Sequence, residues 1–291
     1  MKLAEPDLIV NPNGSVYHLY LKPDQLADTI LIMGDHGRVP EVSDFFDKIE
    51  CKVSNREFVS HTGIYRGKRI TALSTGMGTD NIDIVMQELD ALVNFDLETR
   101  LPKAYRKSLT IIRLGTSGAI QPDIPLNSFG LSTHAMGLDN VIYFYRDYKN
   151  VIDIELSAHF ARMSNWDTNL TLPYFIKGSE QLIRQFFEET VHGITVTAPG
   201  FYGPQGRGLH LVLTDPGMID KLQQFQCEGH RITNFEMETS ALYGLGALLG
   251  HETITICALV ANRATGEYNP HHGPVIRKLI EFVLDRITTT M

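Results

Sequence analysis

Arg38 and Arg113 stand in or beside glycine-rich stretches that directly follow short apolar runs. These are Gly34-Asp35-His36-Gly37-Arg38 and Arg113-Leu114-Gly115-Thr116-Ser117-Gly118. A third stretch, Thr75-Gly76-Met77-Gly78-Thr79, follows the run Arg69–Ser74. Glycines let backbone N–H groups approach an anion closely, and a guanidinium fork matches phosphate oxygens. The chemistry indicated is the binding of a small anion. Taken singly, each arginine is better read as a solvated or salt-bridged side chain. Three glycine turns with two arginines give the anion reading its weight.

Other site chemistries find no match. Gly76-Met77-Gly78 starts like a dinucleotide fingerprint, but Asn81 occupies the place of the third glycine. There is no Walker-type lysine loop, and Gly115-Thr116-Ser117-Gly118 only looks like a nucleophile elbow. His271-His272 lack the spacing of a metal pair and read as loop. Cys51, Cys227 and Cys257 are far apart, with no Cys-x-x-Cys pair. They fit reduced thiols, not a zinc ribbon or a disulfide framework. No metal site is expected.

The elements that must position these residues alternate. Thr29–Met33, Arg69–Ser74, Leu109–Leu114, Gly193–Ala198 and Thr253–Ala261 read as strands, several apolar on both faces as in a covered sheet. Val39–Glu50, Asn81–Asn94, Glu180–Thr190, Pro216–Cys227, Glu236–Leu249 and Pro274–Ile287 read as helices. For Glu236–Leu249, Thr233-x-x-Glu236 is the expected capping box and Gly250 the stop. The alternation predicts an α/β sandwich on one sheet, with ligands at the carboxyl ends of the strands. Residues 96–107 are polar and charged and read as a surface insertion. The aromatic-rich segment from Asn140 to Pro173 has too poor a period to place.

The chain has 291 residues, 43% hydrophobic and 21% charged, which is ordinary for a folded protein and unlike a disordered, collagenous or coiled-coil one. No apolar run reaches the roughly 18 residues of a membrane helix, and the first residues lack a signal-peptide core. A cytoplasmic protein is expected, with no membrane partner. The net charge of −8 gives no overall attraction to nucleic acid.

A longer set of motifs carries a family resemblance. In order they are Val16-Tyr17-His18-Leu19, Gly34-Asp35-x-x-Arg38-Val39, Asn55-Arg56-Glu57-Phe58, Ser74-Thr75-Gly76-Met77-Gly78 and Arg113-Leu114-Gly115-Thr116-Ser117-Gly118-Ala119-Ile120. Phe201-Tyr202-x-x-Gln205-x-Arg207, Glu236-Met237-Glu238 and Asn262-Arg263 follow. Together they resemble the purine-nucleoside and uridine phosphorylase family over residues 16–263. The resemblance implies one domain over residues 1–291, a mixed β-sheet flanked by helices. It also implies a pentosyltransferase that uses inorganic phosphate as co-substrate and no organic cofactor.

The site follows residue by residue from that resemblance. Gly34, Arg38, Arg113 and Thr116 would hold phosphate, with Arg56 reaching in from a neighbouring subunit. Met237 and Glu238 would carry the ribose, and His18 of the neighbour would reach its 5′-hydroxyl. Tyr17, Phe201, Gln205 and Arg207 would meet the base. Arg113, Arg207 and Glu238 would be the catalytic groups. The Phe-Tyr-x-x-Gln-x-Arg string resembles a uracil-reading loop, and Pro199-Gly200-Phe201 lacks the carboxylate that purine members tend to carry. Reversible phosphorolysis of uridine to uracil and ribose 1-phosphate is therefore expected, by a homodimer or an assembly of dimers with shared sites. A nucleosidase, a purine-preferring phosphorylase and a nucleoside sensor are the rivals.

Plainer readings stand beside these. Arg56 could pair with Glu57, and Glu238 could simply complement a helix dipole. Met237 could be core, and Gln205 and Arg207 polar tips of a loop. Glu236 is either a second ribose contact or a cap. Arg263 either supports Gln205 from behind or forms a salt bridge. The sequence also departs from the family: Met33 replaces a proline, and Thr79-Asp80-Asn81 replaces a Gly-Pro-Ser continuation. Asn81 stands where a monovalent-cation ligand would be, so no such ion is expected.

Overall fold

Apolar, β-branched runs make the centre of the molecule. The computed structural model describes residues 2–289. Every residue of the strand Thr29–Met33 is buried. It lies between Lys68–Ser74 and Thr110–Ala119 and runs parallel to both. Its register sets Met33 beside Ser74 and Ile32 beside Arg113, which brings the ends of two strands against the middle of the third.

Thirteen strands form one mixed sheet. Glu252–Asn262 runs parallel to Thr110–Ala119, with Cys257 opposite Gly115. Phe129–Gly137, Val191–Thr197 and His230–Glu236 continue the sheet. It then closes partly on itself, because Asn234 and Phe235 pair antiparallel with Ala119 and Gly118. This non-local closure sets residues 116–118 beside residues 235–238. Helices cover the sheet, the longest being Thr79–Asn94 and Gly273–Thr288. Ile82, Met86 and Leu89 of the first and Ile280, Val283 and Leu284 of the second belong to the main core. The α/β sandwich with a mixed sheet is thus the fold observed. Among the described residues, no helix is long and apolar enough to cross a membrane.

Several expected elements change. The helix expected over Val39–Glu50 is only Arg38–Ser43, and Lys48–Asn55 is a strand. Val39, Val42, Phe46 and Ile49 have helical spacing, but Ile49, Cys51 and Val53 also alternate, and pairing with Phe58–Tyr65 decides for strand. Residues 115–118 are not a turn, since the Thr110–Ala119 strand runs through them. The expected capping box is absent. Thr233 lies in a strand, and the helix is Thr239–Leu249, closed by Gly250 as expected. The segment 96–107 holds a small hairpin pairing Phe95–Asp96 with Leu101–Pro102. The unplaced aromatic tract contains the helix Ile154–Ser164, which Asp153 caps through Leu156 N.

Candidate active site

A cavity of about 640 Å³ opens where the strand ends meet. Gly34, Arg38, Arg113, Thr116, Phe201, Gln205, Arg207, Met237 and Glu238 all line it. Nine of the twelve expected residues therefore converge from stretches far apart in the chain.

Arg113 is the buried centre of charge. Only 5% of it is exposed, as is 3% of Glu238. Its Nη2 donates to Glu238 Oε2, and its Nη1 lies 3.2 Å from Glu236 Oε2. Glu238 Oε1 accepts from the backbone N–H of Gly78 at 2.8 Å. Burial disfavours the Arg113 charge, but Glu238 and Glu236 outweigh it and hold its pKa above the ordinary arginine value. Burial pushes Glu238 upward, Arg113 opposes this, and Glu236 adds to it. Arg113 Nε is buried with no hydrogen-bond partner, an orphan donor that calls for an explanation. Gly115 makes the packing possible. A Cβ there would lie 2.3 Å from Arg113 Nη1 and 2.7 Å from Cys257 Sγ.

Arg38 opens the helix Arg38–Ser43, and its Nη1 lies 3.3 Å from the carbonyl of Leu114. Burial lowers its pKa, Asp35 opposes that, and Arg113 adds to it. Two guanidinium groups lining one cavity favour an anion there.

The opposite end of the cavity is built differently. Gln205 is 3% exposed. Arg207 Nη1 donates to Gln205 Oε1 at 2.5 Å and to the Phe201 carbonyl at 2.7 Å, with its guanidinium 4.1 Å from the Phe201 ring centroid. That bond fixes which end of the Gln205 amide faces which way. Arg263 Nη1 donates to the Gln205 carbonyl and Nη2 to that of Gly206 at 3.3 Å. Of its two readings, support from behind is the arrangement observed. Burial and the nearby Arg263 charge lower the pKa of Arg207.

Tyr17, His18 and Arg56 lie outside this cavity. Arg56 Nη2 is 3.3 Å from the Tyr17 hydroxyl and its guanidinium sits 5.3 Å from the Tyr17 ring centroid. Arg56 therefore turns to Tyr17, although the next residue, Glu57, lines the cavity. His18 Nδ1 is 2.7 Å from Glu88, which also accepts the backbone N–H groups of His18 and Leu19. The Nε2 atom is the ring nitrogen left for another partner. Tyr17 and His18 line a separate 280 Å³ pocket, and Arg56 joins them through Tyr17.

Residue typing missed His36, Glu57 and Tyr268, which also line the cavity. Tyr268 arrives through the short strand Glu267–Tyr268, which pairs with Ala261 and Asn262. Its lone aromatic in a polar loop carried no pattern.

The chain belongs to the phosphorylase superfamily, whose family model matches residues 28–287. It is similar to a uridine phosphorylase of Thermococcus kodakarensis, at 32% identity over 260 residues, 88% of this chain and 80% of the relative. A DeoD-type purine nucleoside phosphorylase of Bacillus subtilis is 26% identical over 254 residues, 86% of this chain and 88% of the relative. The fold matches that of a Trypanosoma brucei nucleoside phosphorylase, described as showing uridine phosphorylase activity, with a TM-score of 0.86. Identity is 29%, over 98% of this chain and 100% of the other.

Proposed function

We propose that this chain catalyses the reversible phosphorolysis of uridine to uracil and ribose 1-phosphate, a cytoplasmic salvage reaction for pyrimidine nucleosides. The observation that carries the reading is the pair of buried Gln205 and half-buried Arg207 facing the same cavity as Arg113 and Glu238. The pair supplies amide and guanidinium groups suited to the uracil edge, and the rest supplies charge for phosphate and sugar.

Each group then has a task. Gly34 N–H, Arg38, Arg113 and Thr116 hold phosphate against the anomeric carbon, which removes much of the entropic barrier to attack. Met237 floors the ribose. Glu238 accepts from the sugar hydroxyls and favours the positive charge that develops as the glycosidic bond lengthens. That bond breaks toward uracil, whose O4 gains negative charge. Arg207, fixed against Phe201 and Gln205, donates there more strongly in the transition state than in the ground state. Phe201 stacks on the base. Phosphate is the co-substrate, and the residues ask for no organic cofactor. Tyr17, His18 and Arg56 complete the site of a neighbouring subunit in a homodimer or an assembly of dimers.

The DeoD-type relative is the basis for a purine alternative. Comparison of uridine with inosine at equal phosphate separates the two. Uridine should turn over faster and yield ribose 1-phosphate. Faster inosine cleavage would assign Phe201–Arg207 to a purine site.

A further inference from the structure

Glu236 ends the strand His230–Glu236, and only 4% of it is exposed. It lines the cavity, but its carboxylate already has several protein partners. Oε1 accepts from Thr197 Oγ1 at 2.6 Å, and Oε2 from Glu238 N at 2.9 Å. Thr239 N donates to both oxygens, at 3.1 and 3.0 Å, and Arg113 Nη1 lies 3.2 Å from Oε2. A carboxylate has about four lone-pair sites, and a sugar hydroxyl would have to compete for them with these partners. Thr197 is fixed in turn, because its Oγ1 accepts from Ser240 N at 2.9 Å. Thr197 is fully buried and is not among the residues lining the cavity.

We propose that Glu236 is a positioning residue that holds Arg113 and the backbone carrying Glu238 in one frame, and that Thr197 holds Glu236. One carboxylate thus sets the distance between the group facing phosphate and the group facing ribose. Both must meet the same anomeric carbon, so an error in that distance reaches both substrates. The inference rests on the phosphorylase reading above.

The test uses the full-length protein, with native-like melting checked for each variant. Thr197→Val removes the hydroxyl and keeps the branched shape, and Thr197→Ser restores the hydroxyl. The valine variant should lose about tenfold in kcat/KM with a raised KM for phosphate, since small misplacements cost this much. The serine variant should be close to native. Glu236→Ala should lose about 100-fold, by the same factor with uridine, 2′-deoxyuridine and 3′-deoxyuridine. A direct ribose ligand behaves otherwise: its penalty shrinks when the hydroxyl it binds is missing. That result, or a Thr197→Val protein with native kinetics, overturns the proposal. If Glu236→Ala does not fold, the two Thr197 variants decide alone. If the native protein releases no uracil from uridine and phosphate, the phosphorylase reading itself fails and the positioning role falls with it.

Discussion

At the scale of single residues, the site works by crowding charge where water is scarce. Arg113 sits between two carboxylates, and its position depends on the missing side chain at residue 115. Gly115→Ala places a methyl 2.3 Å from Arg113 Nη1. The guanidinium must then shift, and kcat/KM should fall by about 100-fold in a protein that still folds. Native kinetics in a folded Gly115→Ala protein would show that Arg113 does not need its present place. Gln205→Ala takes one acceptor from Arg207, which keeps the Phe201 carbonyl, and removes the amide that the proposed reading sets against uracil. Leaving buried polar groups unpaired costs about 1–3 kcal/mol each, which should appear in kcat/KM for uridine. An unchanged value would remove Gln205 from the base site. The glycines with Arg38 and Arg113 were legible from residue type and place, whereas Gln205, Arg207, Met237 and Glu238 came into view only through the family resemblance. The clamp of Glu236 on Arg113 was not legible, since it depends on which strands lie side by side.

Elements decide that juxtaposition. Continuous apolar runs such as Thr29–Met33 announced themselves, and the helix closed by Gly250 did too. The strand Lys48–Asn55 did not, because its apolar residues also fit a helical stripe. Nor could local patterns show that Asn234 would pair with Ala119, which closes the sheet and places residues 116–118 beside residues 235–238. Sheet packing also half-buries a titratable group outside the site. His134 on Phe129–Gly137 meets His230 of His230–Glu236, with ring centroids 4.4 Å apart. Its pKa is pushed down to about 4, first by burial, then by His230 and Lys177, with Asp153 opposing. The folded protein therefore holds His134 neutral, while the unfolded chain protonates it near its usual value of about 6.5. Stability contributed by the neutral ring is present above that pH and is lost as pH falls toward 4. The loss should be at most about 3 kcal/mol. Urea unfolding at pH 7, 5.5 and 4 should show it, and His134→Phe should flatten the trend. An equal slope in both proteins would place the pH dependence elsewhere.

The whole molecule raises the question of how Tyr17, His18 and Arg56 reach a site. They form one patch outside the cavity of their own chain, as residues handed to a neighbour would. In a twofold dimer, Arg56→Ala disables the neighbour's site and Glu238→Ala disables its own. Each homodimer should be nearly inactive. A mixed dimer carries both lesions in one site and leaves the other intact. Co-expression makes about half the dimers mixed, so activity should return to about a quarter of native. Verified mixed dimers without recovery would show that Arg56 does not act across an interface. The central claim is that Arg38 and Arg113, beside glycine-rich stretches, hold phosphate as the nucleophile. Uracil release from uridine, followed in otherwise identical buffers with and without inorganic phosphate, tests it most directly. Release should depend on phosphate, with ribose 1-phosphate formed in equal amount. Equal release without phosphate, with free ribose as the product, would contradict the claim and make water the nucleophile.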